Sequence, residues 1–167
     1  MKVSIIIPVY NEVESIKLCI ADLKMVMESL AYEYEIIVVD DGSSDQTVDA
    51  IQEASVQILK HPQNQGYGAA LKTGIKYATG EIIAITDADG TYAASNLPRL
   101  LDLLVREQYD MVVGARTGED VNISWLRRPV KWLLTKFASL LVGVHIPDLN
   151  SGQRVFRRDA ASVFSCW

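Results

Sequence analysis

The sequence predicts an α/β fold, a doubly wound and mostly parallel sheet with helices on both faces. Two observations carry that reading. Five short apolar runs, rich in β-branched residues, fall at residues 3–9, 35–39, 56–60, 82–85 and 110–115. Runs of this length and evenness read as strands buried on both faces. Between them lie stretches whose apolar residues follow helical spacing. Strands and helices alternating at this rhythm make βαβ units. In such sheets the first strand is commonly central, flanked by the second and fourth, with ligands beyond the strand carboxyl ends.

The first run ends at Pro8 and a turn at Tyr10-Asn11. Ile16, Cys19, Ile20, Leu23, Val26, Met27 and Leu30 then form one apolar stripe, and Asn11 with Glu14 resembles a capping box that starts this helix. The second run stops at Asp40-Asp41-Gly42-Ser43, where Ser43 with Gln46 suits the start of a helix over 45–54. The third run leads into Asn64-Gln65-Gly66-Tyr67-Gly68 and a small-residue helix over 69–78, with Gly80 as its terminating residue. The fourth, Ile82-Ile83-Ala84-Ile85, breaks off at Thr86-Asp87-Ala88-Asp89-Gly90. A helix over 97–107 tolerates Pro98 in its first turn, and the fifth run is closed by Arg116.

At 167 residues the chain is one domain's worth. An apolar fraction of 49% excludes disorder, and a formal charge of −5 argues against nucleic acid as the main partner. That charge is uneven: residues 121–147 contain no acid, yet hold Arg127, Arg128, Lys131 and Lys136. With Trp132, Phe137 and Leu140, this stretch reads as an interfacial helix at an anionic membrane surface, or as a core helix with solvated lysines. Its apolar part, 132–144, is interrupted by Lys136 and too short to span a bilayer. No signal peptide is expected. Cys19 and Cys166 form neither a disulfide framework nor a zinc site, and a reducing cytosol fits them. His61 and His145 lack metal-ligand spacing and read as structural.

The topology gathers Glu12, Asp40, Asp41, Asp87 and Asp89 along one edge of the sheet. Clustered carboxylates repel unless a cation or hydrogen-bond donors are present. Asp87 and Asp89, spaced i, i+2 after a strand, suit a hard divalent ion, Mg2+ or Mn2+, that also holds ligand phosphates. The first strand lacks the glycine fingerprint of a dinucleotide site, and no phosphate-binding Gly-Lys loop exists. A nucleotide diphosphate at this edge therefore needs a metal to screen it. Asp40 is placed to accept from base or ribose, and Tyr10 to pack on the base.

Six motifs in order are similar to the family-2 inverting glycosyltransferases: Ile7-Pro8-Val9-Tyr10-Asn11-Glu12, Val39-Asp40-Asp41-Gly42-Ser43-Ser44-Asp45, Asn64-x-Gly66, Asp87-Ala88-Asp89, Val113-Gly114-Ala115-Arg116 and Asp148-Leu149-Asn150-Ser151-Gly152-Gln153-Arg154. The last two look like the polyprenyl-phosphate (dolichol-phosphate) mannose or glucose synthase branch. The resemblance implies a GT-A fold and transfer of a hexose from a nucleotide-diphosphate sugar, GDP-mannose or UDP-glucose, to a polyprenyl monophosphate. By position, Pro8, Tyr10, Glu12 and Asp40 would contact the nucleoside, Asp87 and Ala88 the ribose and phosphates, and Asp89 the metal. Arg116, with Ser151 and Arg154, would hold the acceptor phosphate. Peripheral attachment at the cytoplasmic face of a membrane follows, and the sequence leaves a homo-oligomer open.

Three departures from the family pattern stand out. Thr91-Tyr92 follows the Asp-Ala-Asp-Gly where the lipid-phosphate synthases usually place a glutamine. Gln153 stands where phenylalanine is usual, and the chain stops at Trp167, where relatives commonly run on. A GT-A domain over residues 1–167, truncated at its C-terminus, is the expectation. The rival readings are a transferase acting on a sugar hydroxyl, with Asp148 as general base, and a nucleotide-binding module without turnover.

Overall fold

The computed structural model describes residues 1–52, 55–115 and 151–160. The chain divides into two compact units, Met1–Val113 with Gly152–Trp167, and Gly114–Ser151. The first holds a six-stranded sheet: β1 (Lys2–Val9), β2 (Glu33–Asp40), β3 (Gln57–Lys60), β4 (Ile82–Ile85), β5 (Met111–Val113) and β6 (Arg154–Arg157), in the order β3-β2-β1-β4-β6-β5. β1 is central and runs parallel to both β2 and β4, as expected. Pro8 sits past the last rung to β4, which is Ile6 opposite Ile85.

Side chains alternate along β1 and β2 between two apolar layers. Ile5, Ile7, Ile36 and Val38 face the layer that includes residues of α1 (Ile16–Glu28) and α3 (Leu97–Arg106). Ile6, Ile37 and Val39 face the layer of α2 (Tyr67–Tyr77). Helices on both faces explain why these strands read as continuous apolar runs. In α3 the buried Leu97, Leu100, Leu101 and Leu104 keep i, i+3, i+4 spacing, and Pro98 occupies the first turn, where its missing N–H costs nothing.

Four local expectations are corrected. The segment after β2 forms only one 3-10 turn, Asp49–Ile51, among the described residues, rather than a helix over 45–54. Its would-be cap is engaged elsewhere, because the Ser43 hydroxyl accepts the Asn11 N–H at 2.9 Å. Asp45 folds onto the Thr47 N–H at 2.9 Å, a local bond that competes with helix. Asn11 does not cap α1 either: it adopts φ 57° and accepts the Ser44 N–H at 2.9 Å, so the helix starts after Ser15. Ala78, not Gly80, closes α2.

The fourth correction concerns the sheet's far side. β6 was not expected, and it inserts antiparallel between β4 and β5. Its sequence, Arg-Val-Phe-Arg, carries only two apolar residues. Both are buried, with Phe156 among the largest fully enclosed side chains.

Candidate active site at the carboxyl edge of the sheet

A cavity of about 400 Å3 opens beyond the carboxyl ends of β1, β2 and β4. Pro8, Tyr10 and Glu12 reach it from the end of β1, and Asp41 from the end of β2. Asn64, Gly66 and Tyr67 arrive from the turn that enters α2, while Asp87, Ala88 and Asp89 follow β4. The volume suits a nucleotide-sized ligand.

The loops around this cavity are held by side-chain bonds to backbone amides. Glu12 donates its N–H to the Thr47 hydroxyl at 2.8 Å, and its carboxylate accepts the Ser15 hydroxyl at 2.6 Å. Asp41 accepts the N–H groups of Gln65 at 2.9 Å and Gly66 at 2.7 Å, and lies 2.7 Å from Nδ1 of His61. The other ring nitrogen of His61 meets the Thr73 hydroxyl on α2 at 2.8 Å. Burial raises the Asp41 carboxyl, but the Gln65, His61 and Gly66 bonds outweigh it and hold it below the ordinary value. Gly42 makes this approach possible. It sits at φ 77°, and a Cβ there would stand 2.6 Å from the Gln63 carbonyl carbon.

Asp87 is bracketed. The Tyr67 hydroxyl donates to its Oδ1 at 3.1 Å, and Gly152 packs against its Oδ2. The N–H of Gly152 in turn donates to the Tyr92 oxygen. Burial and the negative charge of Asp87 raise the Tyr67 phenol, and the charge of Arg154 works against them. The Cys19 thiol of α1 donates to the Asp87 carbonyl at 3.8 Å. Burial, then the charges of Asp22, Asp89 and Asp87, push that thiol up to about 11.

Asp89 is exposed and accepts the Thr91 N–H through Oδ1 at 2.9 Å. It takes no part in the ion pairs Lys2–Glu35, His61–Asp41 and Arg106–Asp102. No group of three or more metal-ligating side chains occurs among the described residues. Asp87 and Asp89 at the cavity would offer a cation one or two carboxylates, the rest of its oxygens coming from phosphates and water, as suits Mg2+ and related ions.

Of the residues singled out from sequence, Pro8, Tyr10, Glu12, Asp87, Ala88 and Asp89 come together at the cavity. Asp40 is not among the lining residues. It is buried, with Oδ1 accepting the Ser43 N–H at 3.1 Å, while its neighbour Asp41 faces the cavity. Ser151 is fully buried and donates its hydroxyl to the Gly114 carbonyl. Arg154 begins β6 opposite Ile85, one rung before the turn that carries Asp87. Arg116, Asp148 and the basic stretch over 121–147 lie outside the described residues. Tyr67 drew no assignment from sequence, since only its place after Asn64-x-Gly66 pointed to it. No helix among the described residues is long and apolar enough to cross a membrane.

The profile of Glycosyl transferase family 2 matches residues 4–164. The chain is 34% identical over 167 residues to the low-salt glycan biosynthesis hexosyltransferase Agl6 of Haloferax volcanii, covering 98% of this chain and 40% of that one. It is 31% identical over 170 residues to the undecaprenyl-phosphate mannosyltransferase of Micrococcus luteus, covering 95% of this chain and 68% of that one. Among solved structures, the glucosyl-3-phosphoglycerate synthase of Mycobacterium tuberculosis with Mn2+, uridine diphosphate and phosphoglyceric acid superposes with a TM-score of 0.74. That match is 20% identical and covers 95% of this chain and 56% of that one, a likeness of fold.

Proposed function

The chain belongs to glycosyl transferase family 2, and from that premise we propose that it is a GT-A hexosyltransferase. It moves a hexose from a nucleotide-diphosphate sugar to a polyprenyl monophosphate, with inversion at the anomeric carbon. The observation that carries the reading is the cavity at the carboxyl edge, where the nucleoside-side residues Pro8, Tyr10 and Glu12 face the carboxylates of Asp87 and Asp89. The undecaprenyl-phosphate mannosyltransferase relative supports the lipid acceptor. The chain spans 40% of one relative and 68% of the other, so the reading takes residues 1–167 as one glycosyltransferase domain within that activity.

Tyr10, nearly half exposed at the cavity edge, packs on the base. Asp41 takes the place that the sequence assigned to Asp40, because it is the member of the pair that lines the cavity. Asp87 and Ala88 meet the ribose and the diphosphate. Asp89 holds a divalent ion, Mg2+ or Mn2+, and a bound ion would offset the charge building on the leaving diphosphate. The Mn2+ and uridine diphosphate in the mycobacterial structure support this assignment. Arg154, with Arg116, positions the acceptor phosphate, for which a guanidinium fork is suited. The enzyme works at a membrane surface, where its lipid acceptor resides.

A thermal-shift panel of UDP, GDP, UDP-glucose and GDP-mannose, with and without Mn2+, tests the reading. A ligand at 100 times its Kd stabilises by about 2.7 kcal/mol. The same proteins are then assayed for transfer of labelled hexose to polyprenyl phosphate. Absence of Mn2+-dependent stabilisation by every nucleotide would overturn the proposal.

A further inference from the structure

Resting on the nucleotide-sugar reading above, we propose that Tyr67 is a positioning residue that sets the orientation of Asp87. Tyr67 opens α2, directly after Gly66, whose φ of 94° turns the chain into the helix. Both residues line the cavity. The turn is anchored from behind, since Asp41 accepts the Gly66 N–H at 2.7 Å and the His61–Thr73 contact ties it to α2. A hydroxyl carried on so constrained a turn has a defined place, and it reaches Oδ1 of Asp87 at 3.1 Å.

The opposite side of the same carboxylate is set by Gly152, where a Cβ would stand 1.9 Å from Oδ2. The backbone of Asp87 is held by Cys19. Asp87 thus has its main chain fixed from α1 and its two oxygens set from α2 and from Gly152, two residues before β6. A phenol suits this task, because its neutral O–H donates one directional bond to the carboxylate. Tyr67 acts through Asp87 and not on the reacting atoms. Partners that orient a ligand-binding group typically matter 10- to 100-fold in affinity or activity.

The test is a pair of double-mutant cycles read by calorimetric titration with UDP and with GDP in the presence of Mn2+. Tyr67→Phe keeps the ring and removes only the donor. It is expected to weaken nucleotide binding by about 10-fold or more with an unchanged melting temperature. In an Asp87→Ala background the same substitution is expected to cost less than about threefold, as coupled residues do not add. Gly152→Ala displaces the carboxylate from the other side and supplies the second cycle, should Asp87→Ala bind too weakly to measure. Equal losses from Tyr67→Phe in the parent and in both backgrounds would overturn the proposal, because Tyr67 would then touch the nucleotide itself. So would a Tyr67→Phe protein that binds like the parent. A parent protein that binds neither nucleotide would overturn the functional reading, and the role of Tyr67 with it.

Discussion

Gly152 faces the carboxylate of Asp87 with no room for a side chain. A Cβ on Gly152 would stand 1.9 Å from Oδ2 and 2.6 Å from Cγ, both inside any real contact. A larger residue at 152 therefore requires the carboxylate of the first aspartate of Asp-Ala-Asp, 65 positions earlier in the chain, to shift. Gly152→Ala must move the carboxylate or the strand behind it, and overpacking of this kind costs about 1–3 kcal/mol. Urea unfolding should report that loss, and nucleotide binding should fall with it. Parent-like values in both measurements would mean that Asp87 swings aside freely.

Asp89 makes a separate prediction, since its carboxylate keeps an oxygen free of the Thr91 N–H. Asp89→Asn should remove most of the Mn2+-dependent part of nucleoside diphosphate affinity and leave the metal-free part and the melting temperature near the parent values. The comparison is a titration of UDP or GDP with and without Mn2+. Equal metal dependence in the two proteins would place the ion elsewhere.

How far the sequence showed the fold follows from where its signals are strong. The runs of β1, β2 and β4 are rich in β-branched residues and buried on two faces, so their order and the gathering of Glu12, Asp41, Asp87 and Asp89 were legible. β6 was not, because an antiparallel strand of two apolar residues between arginines has no period to detect. Which of Asp40 and Asp41 lines the cavity was equally hidden. Adjacent residues at a strand end differ only in which way the last turn points them, and tertiary bonds to Gln65, Gly66 and His61 decided it. The Tyr67 hydroxyl spans 20 positions to Asp87, a distance that local patterning does not address.

Glu35 gives the protein a predictable acid limb. Burial would raise its carboxyl, but bonds from the Ser4 hydroxyl, the Thr79 N–H, Lys2 and the Thr79 hydroxyl lower it from 4.5 to about 2. On acidification the unfolded chain takes up this proton first. The stability Glu35 contributes is therefore complete above about pH 4.5 and is lost as the pH falls through about 2. Urea midpoints measured from pH 6 to pH 2 should fall along this window, and Glu35→Gln should flatten part of the slope. An unchanged slope in the variant would assign the acid sensitivity to other carboxylates.

The acceptor class is decided by contrasting two variants. A phosphate monoester has its second pKa near 6, so at neutral pH it is already largely an anionic nucleophile. It requires a positioning cation rather than a base, and Arg154 begins β6 opposite Ile85, two positions before Asp87, with Arg116 as its expected companion. A sugar hydroxyl is un-ionised at pH 7, and a positioned base then contributes about 10²- to 10⁴-fold. The lipid-phosphate reading predicts that Arg116→Ala and Arg154→Ala each cut transfer to polyprenyl phosphate severely, while Asp148→Asn costs little in a folded protein. On that reading the arginine losses should appear mainly in the KM for the acceptor, whose phosphate both residues would bind. Should Asp148→Asn abolish transfer while the arginine variants stay active, the acceptor is a hydroxyl and Asp148 is its base.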